Sequence, residues 1–223
     1  MPEVYYRGPG SRVLCATSVD DARASFRSIE AGLARAARDG AILQLYAHTP
    51  GATISHLRLH AILDRAADLG LATVTYRDLA DGAPARAGLA LSFDDDGVDA
   101  WHRLAPLFDA YGARATFFVS GYRRLDVARR AKLRDLAARG HAIEAHSADH
   151  PHLAAATRDG VAGYLAAQVT PELAAMRADG LDPRVYAYPY GEHTDEVDAA
   201  VLTEVALVRT TAFAAKRDRD PCR

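Results

Sequence analysis

Three consecutive carboxylates, Asp94, Asp95 and Asp96, follow an apolar run in the segment LALSFDDDGVDAW (89–101). Asp is common where a strand turns, and Asp96-Gly97 is a good turn dipeptide, so a plain turn explains one or two of the acids. Three adjacent carboxylates repel one another unless a cation or a shared proton relieves the repulsion. The segment therefore indicates either a turn or a cation site.

The segment HSADHPHL (146–153) carries histidines that could complete such a site. His146 and His150 are four residues apart, so one helical turn or a tight loop places both imidazoles on one side. Such a pair is also common among surface and core histidines. Two imidazoles with one carboxylate, from Asp94 or Asp95, make the three-ligand arrangement of catalytic zinc sites, which leaves a position open for water. The set also suits other divalent ions, such as cobalt or nickel.

Strand-like and helix-like segments alternate about seven times along the chain. The predicted strands cover 12–16, 41–48, 71–76, 89–93, 113–120, 141–146, 185–189 and 205–209, and the predicted helices cover 21–38, 55–69, 99–111, 126–138, 159–179 and 194–203. Asp20 or Asp21 is the expected N-cap of the first helix, and the helix at 55–69 is expected to bury one face that carries Leu57, Ile62, Leu63 and Leu69. The alternation predicts a parallel sheet with helices outside, either a barrel or an open doubly wound sheet.

Titratable or polar residues stand at four of the predicted strand ends. His48 follows the strand at 41–47, and His146 follows the strand at 141–145. The three carboxylates follow the strand at 89–93, and the segment PYGEH (189–193) follows the strand residues 185–188. Because chemistry in parallel α/β folds collects at the carboxyl ends of the strands, we expect these residues to share one site.

Composition narrows the class of protein. The chain has 223 residues, enough for one domain or two small ones, and a formal net charge of −2, so it carries no electrostatic signal for nucleic acid or a membrane surface. No apolar run approaches the ~20 residues of a membrane span. The N-terminus lacks the pattern of a signal peptide, which predicts a cytoplasmic protein, or a secreted or periplasmic one if a signal was removed. Two cysteines do not make a disulfide framework, and the sequence carries no signal for oligomeric state.

Three motifs, SFDDDG (92–97), HSADHPHL (146–153) and YAYPYG (186–191), resemble in order and spacing those of the polysaccharide deacetylases of the NodB-homology type, carbohydrate esterase family four. The resemblance implies a distorted (β/α) barrel of about seven parallel strands with outer helices. It also implies metal-dependent removal of N-acetyl groups from the amino sugars of a poly- or oligosaccharide, so the expected partner is an N-acetylated glycan.

The resemblance also implies roles for individual residues. Asp94 would be the general base, and Asp95, His146 and His150 would bind the divalent metal ion, most simply zinc. Asp96 stands where many relatives have Gly and is expected to be a turn residue.

The implied chemistry is hydrolysis of an amide. A divalent ion polarises the carbonyl and lowers the pKa of a bound water, and a carboxylate beside the ion takes the proton as the water attacks. In the family the oxyanion receives a further hydrogen bond from a backbone N–H of the PYG motif, which here is Pro189, Tyr190 and Gly191, with Tyr190 as the donor.

The general acid of the family is a His at the end of a late strand. After Gly191 the chain has only His193, which is too close to the PYG motif to end a separate strand. The segment 41–79 resembles the C-terminal end of these proteins, which makes His48 the expected acid. The alternative for His48 is a strand-end histidine bonded to the backbone. On this interpretation the chain is a single domain over 1–223 and a circular permutant: 1–80 corresponds to the family's C-terminal part and 88–213 to its N-terminal and central part. An excerpt from a longer chain is the other explanation.

Other positions depart from the family pattern. Ala187 stands where many relatives have the Arg that orients the catalytic Asp, and Arg184 is the nearest substitute in sequence. Asp220 is a candidate for an Asp of the family, although a solvated charge is the simpler interpretation. Trp101 is expected to pack in the core and not to form a sugar platform.

Three functions remain open on this basis. The first is the N-deacetylase. The second keeps the fold and hydrolyses another carbon–nitrogen bond, as a deformylase or cyclic-amide hydrolase. The third is a non-catalytic glycan-binding module, and the complete set of Asp94, Asp95, His146 and His150 argues against it.

Overall fold

Nine strands form one sheet in the computed structural model, which describes residues 4–82 and 86–212. The strands are β1 Tyr5–Tyr6, β2 Val13–Ser18, β3 Ile42–Ala47, β4 Ala72–Thr73, β5 Gly88–Asp95, β6 Thr116–Val119, β7 Ala142–Ala145, β8 Val185–Ala187 and β9 Leu207–Thr211. Seven of them form a run of parallel neighbours in the order β3-β2-β9-β8-β7-β6-β5, and the short β4 adds to β5, also in parallel. A second pairing of β3 with β5 closes this ring into a barrel. The predicted barrel of about seven parallel strands is confirmed, and the open doubly wound sheet is excluded.

Helices surround the barrel between the strands. They are α1 Phe26–Asp39, α2 His56–Asp68, α3 Tyr76–Ala80, α4 Val98–His102, α5 Ala105–Tyr111, α6 Val127–Ala138, α7 Leu153–Ala156, α8 Gly160–Tyr164, α9 Thr170–Ala178 and α10 Asp195–Val201. Residues Leu165–Val169 join α8 to α9 as a π-helical turn. None of the helices within the described ranges has the length and apolarity needed to cross a membrane.

Local hydrogen bonding explains where the first half of the molecule departs from the sequence predictions. The predicted N-cap at Asp20 or Asp21 is wrong, because Ser25 accepts the N–H of Ser28 and α1 begins only at Phe26. The predicted strand at 71–76 shrinks to two residues, because Thr75 opens α3 with a capping box.

Two helix predictions also need correction. The predicted helix at 99–111 is two helices, α4 and α5. Leu57, predicted to be buried in α2, is 81% exposed, because it lies outside the face that buries Leu59, Ile62 and Leu63.

The barrel interior combines an apolar layer with polar side chains. Residues alternate along a strand between the interior and the outer face, so those at 42, 44 and 46 share the interior with those at 90, 92 and 94 of β5. Apolar interior side chains pack with Tyr76 of α3: Leu14, Ile42, Ala90, Phe118, Ala187 and Leu207. Trp101 is fully buried in the outer layer, as predicted, and its Nε1 donates to the carbonyl of His48 over 2.9 Å.

Glu144 of β7 is a fully buried acid inside the barrel. Burial raises the pKa of its carboxyl to about 8, although the N–H groups of Val185 and Arg184 and the charge of Arg77 act in the opposite direction. The folded state therefore keeps a proton that the unfolded chain releases above its ordinary pKa of 4.5. Ionisation of this side chain consequently weakens folding as the pH rises from 4.5 towards 8.

Replacing Glu144 by Gln is therefore expected to change the pH dependence of stability. The amide oxygen of Gln can still accept from Arg184 and Val185, and the side chain no longer ionises. The midpoint of thermal unfolding of Glu144→Gln relative to the wild type should rise between pH 5 and pH 9, by ~2–4 °C for each kcal/mol removed from the ionisation penalty. If the two midpoints of thermal unfolding differ by the same amount at every pH, the raised pKa of Glu144 is contradicted.

Candidate active site

The residues predicted to do chemistry lie at one end of the barrel. Ala47 of β3 pairs with Phe93 of β5, so His48 and Asp94 follow at the same level of neighbouring strands. The backbone N–H of His146 donates to the carbonyl of Val119 at the end of β6, which continues the edge towards β7. His48, Asp94 and His146 thus lie at the same end of the barrel, as expected from their places at the strand ends.

Asp95, His146 and His150 form a cluster with the geometry of a metal site. The Oδ1 of Asp95 lies 3.6 Å from Nε2 of His146 and 3.3 Å from Nε2 of His150. The three ligand atoms lie within 4.8 Å of one another. The Asp95 Oδ1 is buried and accepts no hydrogen bond from the described residues, so its lone pairs are available to a cation.

Hydrogen bonding prepares His146 as a ligand. Its Nδ1 lies 2.8 Å from the carbonyl oxygen of Ala187, which can only accept, so Nδ1 carries the proton and the neutral ring offers the lone pair of Nε2. Histidines that bind a metal through one ring nitrogen usually donate the N–H of the other to a carbonyl or carboxylate oxygen. The donor set of one carboxylate and two imidazoles fits a divalent ion such as zinc.

The protonation states of the cluster suit metal binding as well. Burial acts to raise the pKa of Asp95, but the side chain of His146, 3.6 Å away, and the charges that His146, His48 and His150 carry when protonated lower it to about 2. Burial, reinforced by repulsion from His146 when that ring is protonated, lowers the pKa of His150. The carboxylate is therefore ionised near neutral pH, and low pKa favours the neutral imidazole that a metal requires.

Asp94 is held by a buried arginine that the sequence analysis did not identify. The Nη2 of Arg209 donates to Oδ2 of Asp94 over 2.6 Å, and both side chains are almost completely buried. The guanidinium lies between the rings of Tyr46 and Phe118, 5.1 and 4.9 Å from their centroids. The Oδ1 of Asp94 is also buried and has no protein partner among the described residues, so this oxygen is available to an incoming group.

Strand register explains why the arginine is at 209. Arg209 of β9 pairs with Ala187 of β8, the position where many relatives have Arg, so the charge reaches Asp94 from the neighbouring strand. Arg184, the substitute suggested by sequence, instead lies 3.3 Å from Asp81. An arginine at the end of the predicted strand 205–209 is a sequence signal for this role. The sequence does not show, however, that residue 209 lies beside residue 187 in the sheet.

His48 is paired with Asp20, another residue missed as part of the site. Its Nδ1 lies 2.5 Å from Oδ2 of Asp20, whose Oδ1 accepts from the backbone N–H of His48 and from the Thr53 hydroxyl. Burial acts to lower the pKa of His48, but the Asp20 hydrogen bond and the charges of Asp94, Asp20 and Asp95 raise it. Asp20 is therefore an orienting group for His48 and not a helix cap.

The PYG motif forms a 3₁₀ turn, Pro189–Gly191, beside the metal cluster. Tyr190 has a φ of 56° and an exposed side chain whose ring lies 3.9 Å from that of His152 and 4.6 Å from that of His150, centroid to centroid. Only Gly fits at 191, because an added Cβ would lie 2.2 Å from Oγ1 of Thr211. The predicted oxyanion loop thus contacts a predicted metal ligand.

The remaining candidates lie outside this arrangement. Asp96 is exposed, and its carbonyl accepts from Val98 in a tight turn, as predicted. His193 pairs with Asp198 at 2.7 Å. Asp220 and the second cysteine, Cys222, fall outside the described residues.

Comparisons with known proteins give one family and one fold. The family model for polysaccharide deacetylase matches residues 81–207. A de-N-acetylase from Aggregatibacter actinomycetemcomitans has a similar structure, with a TM-score of 0.59 at 17% identity over 74% of this chain and 84% of that chain. IcaB from Ammonifex degensii has a TM-score of 0.55 at 17% identity over 91% and 86% of the two chains. A BpsB deacetylase domain from Bordetella bronchiseptica has a TM-score of 0.55 at 19% identity over 95% and 91%. A search of curated protein sequences gives no match.

Proposed function

The chain belongs to the polysaccharide deacetylase family, and from that premise we propose that it is a metal-dependent hydrolase that removes N-acetyl groups from the amino sugars of a poly- or oligosaccharide. The observation that carries the proposal is the meeting of three kinds of group at one end of the barrel. A cation-binding cluster includes Asp95, a carboxylate with a free oxygen lies at Asp94, and an imidazole with a raised pKa lies at His48.

Asp95, His146 and His150 are the residues that would hold the ion. A divalent ion bound there would act as a Lewis acid that polarises the amide carbonyl and lowers the pKa of water. Their fit to such an ion rests on the unpartnered Oδ1 of Asp95 and on the two Nε2 atoms that face it.

Asp94 is proposed as the general base. Its Oδ1 has no protein partner and can take the proton of an attacking water, while Arg209 holds its Oδ2. The arginine keeps the carboxylate in one orientation, which is what a positioned base requires. The backbone N–H of Tyr190 is proposed to donate to the oxygen that becomes negative during attack.

His48 is proposed as the general acid. The bond from Nδ1 to Asp20 directs the opposite ring nitrogen, Nε2, away from that carboxylate. A raised pKa keeps this Nε2 protonated to higher pH, so it can give its proton to the departing amine. Cleavage of an amide needs this step, because without the proton the nitrogen would have to leave as an anion, which is a poor leaving group.

The front of the chain supplies His48 although the family model matches the chain only from residue 81 to residue 207. The presence of His48 ahead of the matched residues supports the proposal that 1–80 is the family's C-terminal part in a circular permutant. The pairing of β2, near the start, with β9, near the end, also supports it, since permutation requires that the joined ends lie close together.

The proposed function is tested by measuring acetate release from N-acetylglucosamine oligomers by protein loaded with zinc, cobalt or nickel. Acetate release that depends on the added ion and is lost on chelation is expected. Formate release from N-formylated analogues without acetate release would favour a deformylase. Zinc binding with no hydrolysis of either substrate would favour a glycan-binding module.

Replacing Asp20 by Asn is expected to move the high-pH limb of the rate profile. The protonated His48 is the active acid, so the rate falls as the pH rises through its pKa, and Asp20 helps to raise that pKa. Without this hydrogen bond and charge, the pKa of His48 falls and the limb moves to lower pH. The dependence of kcat on pH, measured for both proteins, checks this. An unshifted limb with a normal zinc affinity would contradict the role of His48.

A further inference from the structure

The loop that carries both metal-binding histidines, residues 146–150, has a conformation that ordinary residues rarely adopt. Ser147 has a φ of 69° and His150 a φ of 52°, and neither is glycine. Left-handed backbone of this kind costs free energy and persists only where surrounding contacts hold it. The position of His150 therefore depends on what anchors this loop.

Part of the anchoring comes from the barrel itself. The hydroxyl of Ser120 donates to the carbonyl of His146 over 2.9 Å, and the N–H of Gly121 donates to the carbonyl of Ser147 over 2.9 Å. The Ser147 hydroxyl accepts from the N–H of His150 over 2.9 Å. These bonds fix the start of the loop and close its turn, but they do not support the backbone of the middle residues, Ala148 and Asp149. Arg124 donates only to the exposed carboxylate of Asp149, over 2.6 Å.

Gln168 supplies that support with three hydrogen bonds. Its carbonyl accepts from the N–H of Ala148 over 3.1 Å. Its side chain accepts from the N–H of Asp149 through Oε1 and donates to Oδ2 of Asp149 through Nε2, both over 3.0 Å. Gln168 is 8% exposed, whereas Asp149 is exposed, so the two side-chain bonds are partly buried.

The π-helical turn explains how a helix residue makes these bonds. Gln168 lies in Leu165–Val169, where the N–H of Thr170 bonds to the carbonyl of Leu165, five residues earlier. Pro171 follows directly, and it has no N–H to donate and clashes with the carbonyl four residues before it. The α-helical register is therefore interrupted within Leu165–Val169, the turn that contains Gln168, and π turns of this kind are frequent at functional sites.

We propose that Gln168 is a positioning residue of the metal site, and that the π turn ahead of Pro171 exists to direct its carbonyl and amide at the histidine loop. The inference rests on the proposed function, because it assigns the support of the same site. Through Ala148 and Asp149, Gln168 holds the chain between His146 and His150 at the spacing that lets both Nε2 atoms face Asp95.

The test is the affinity of the purified protein for Zn²⁺, measured by competition with a chromophoric chelator. Gln168→Leu removes both hydrogen bonds of the side-chain amide. It is expected to weaken zinc binding about 10- to 100-fold, the usual effect of losing a group that orients metal ligands. Gln44→Leu is the matched control: Gln44, like Gln168, is a buried glutamine, but its side chain bonds to no described residue. The control is expected to bind zinc like the wild type.

Exchanging the amide and the carboxylate between positions 168 and 149 separates a positioning role from general destabilisation, because the double exchange keeps the net charge. Gln168→Glu keeps the shape and the acceptor for Asp149 N–H but places a carboxylate against the carboxylate of Asp149, so zinc binding is expected to weaken. Asp149→Asn in the same protein restores a donor and an acceptor with their roles reversed, and the remaining Oδ1 can still accept from Arg124. The double variant Gln168→Glu/Asp149→Asn is therefore expected to recover most of the wild-type affinity.

The outcomes are distinct. Equal zinc affinity in Gln168→Leu, Gln168→Glu and the wild type would overturn the inference and leave the proposed function intact. Weakening in Gln168→Glu without recovery in the double variant would also overturn it, because the effect would then not come from the contact with Asp149. If the wild type itself binds no zinc, the metal-dependent function fails, and the positioning role fails with it.

Discussion

Replacing Asp95 by Ala is expected to remove both zinc binding and acetate release, and to leave the protein folded. The substitution deletes the only carboxylate of the metal cluster in the described part of the chain, and the two imidazoles that remain are too few ligands for a catalytic site. Zinc affinity by chelator competition and acetate release from N-acetylglucosamine oligomers measure the effect, with thermal unfolding as the check on folding.

The neighbouring acids are the controls for this prediction. Asp94→Asn is expected to retain zinc but to lower kcat by about 10²–10⁴-fold, the range for loss of a general base. Asp96→Ala should change neither, because its side chain is exposed and only its carbonyl is used in the turn. Retention of zinc by Asp95→Ala, or equal losses of activity in all three variants, would refute this division of roles.

Replacing Arg209 by Met is expected to be the most destabilising change near the site. It leaves the carboxylate of Asp94 buried without its partner, and removing one member of a buried ion pair typically costs about 3–5 kcal/mol. For a chain of this size that loss lowers the midpoint of thermal unfolding by about 6–20 °C. The value of kcat should fall as well, because the base is no longer held in one orientation.

Two further variants test whether the effect comes from the ion pair. Arg209→Lys keeps the charge but lacks the planar group that lies between Tyr46 and Phe118, so an intermediate loss is expected. Arg184→Met removes a partly exposed arginine 3.3 Å from Asp81, a surface pair worth only ~0–1 kcal/mol. Equal stability of Arg209→Met and Arg184→Met would exclude the structural role of Arg209.

The contrast between the two arginines shows where sequence reasoning reaches its limit. Arg184 is close to the PYG motif along the chain, whereas Arg209 is separated from Asp94 by 115 positions. The position of Asp20 just before the helical pattern at 21–38 likewise predicts a helix cap, yet its carboxylate bonds to His48 across 28 positions. Partners contributed by different strands depend on strand order and register, which local patterns do not contain.

The sequence by itself determined the strand–helix alternation, the family and the position of each chemical group at a strand end, because hydrophobic periodicity and short motifs are local properties of the chain. Only the tertiary structure decided that the sheet closes through the pairing of β3 with β5, that Arg209 replaces the missing arginine at 187, and that Gln168 supports the histidine loop. Each of these depends on contacts between distant segments, which form only when the barrel closes and buries the charges and amides that must then find partners.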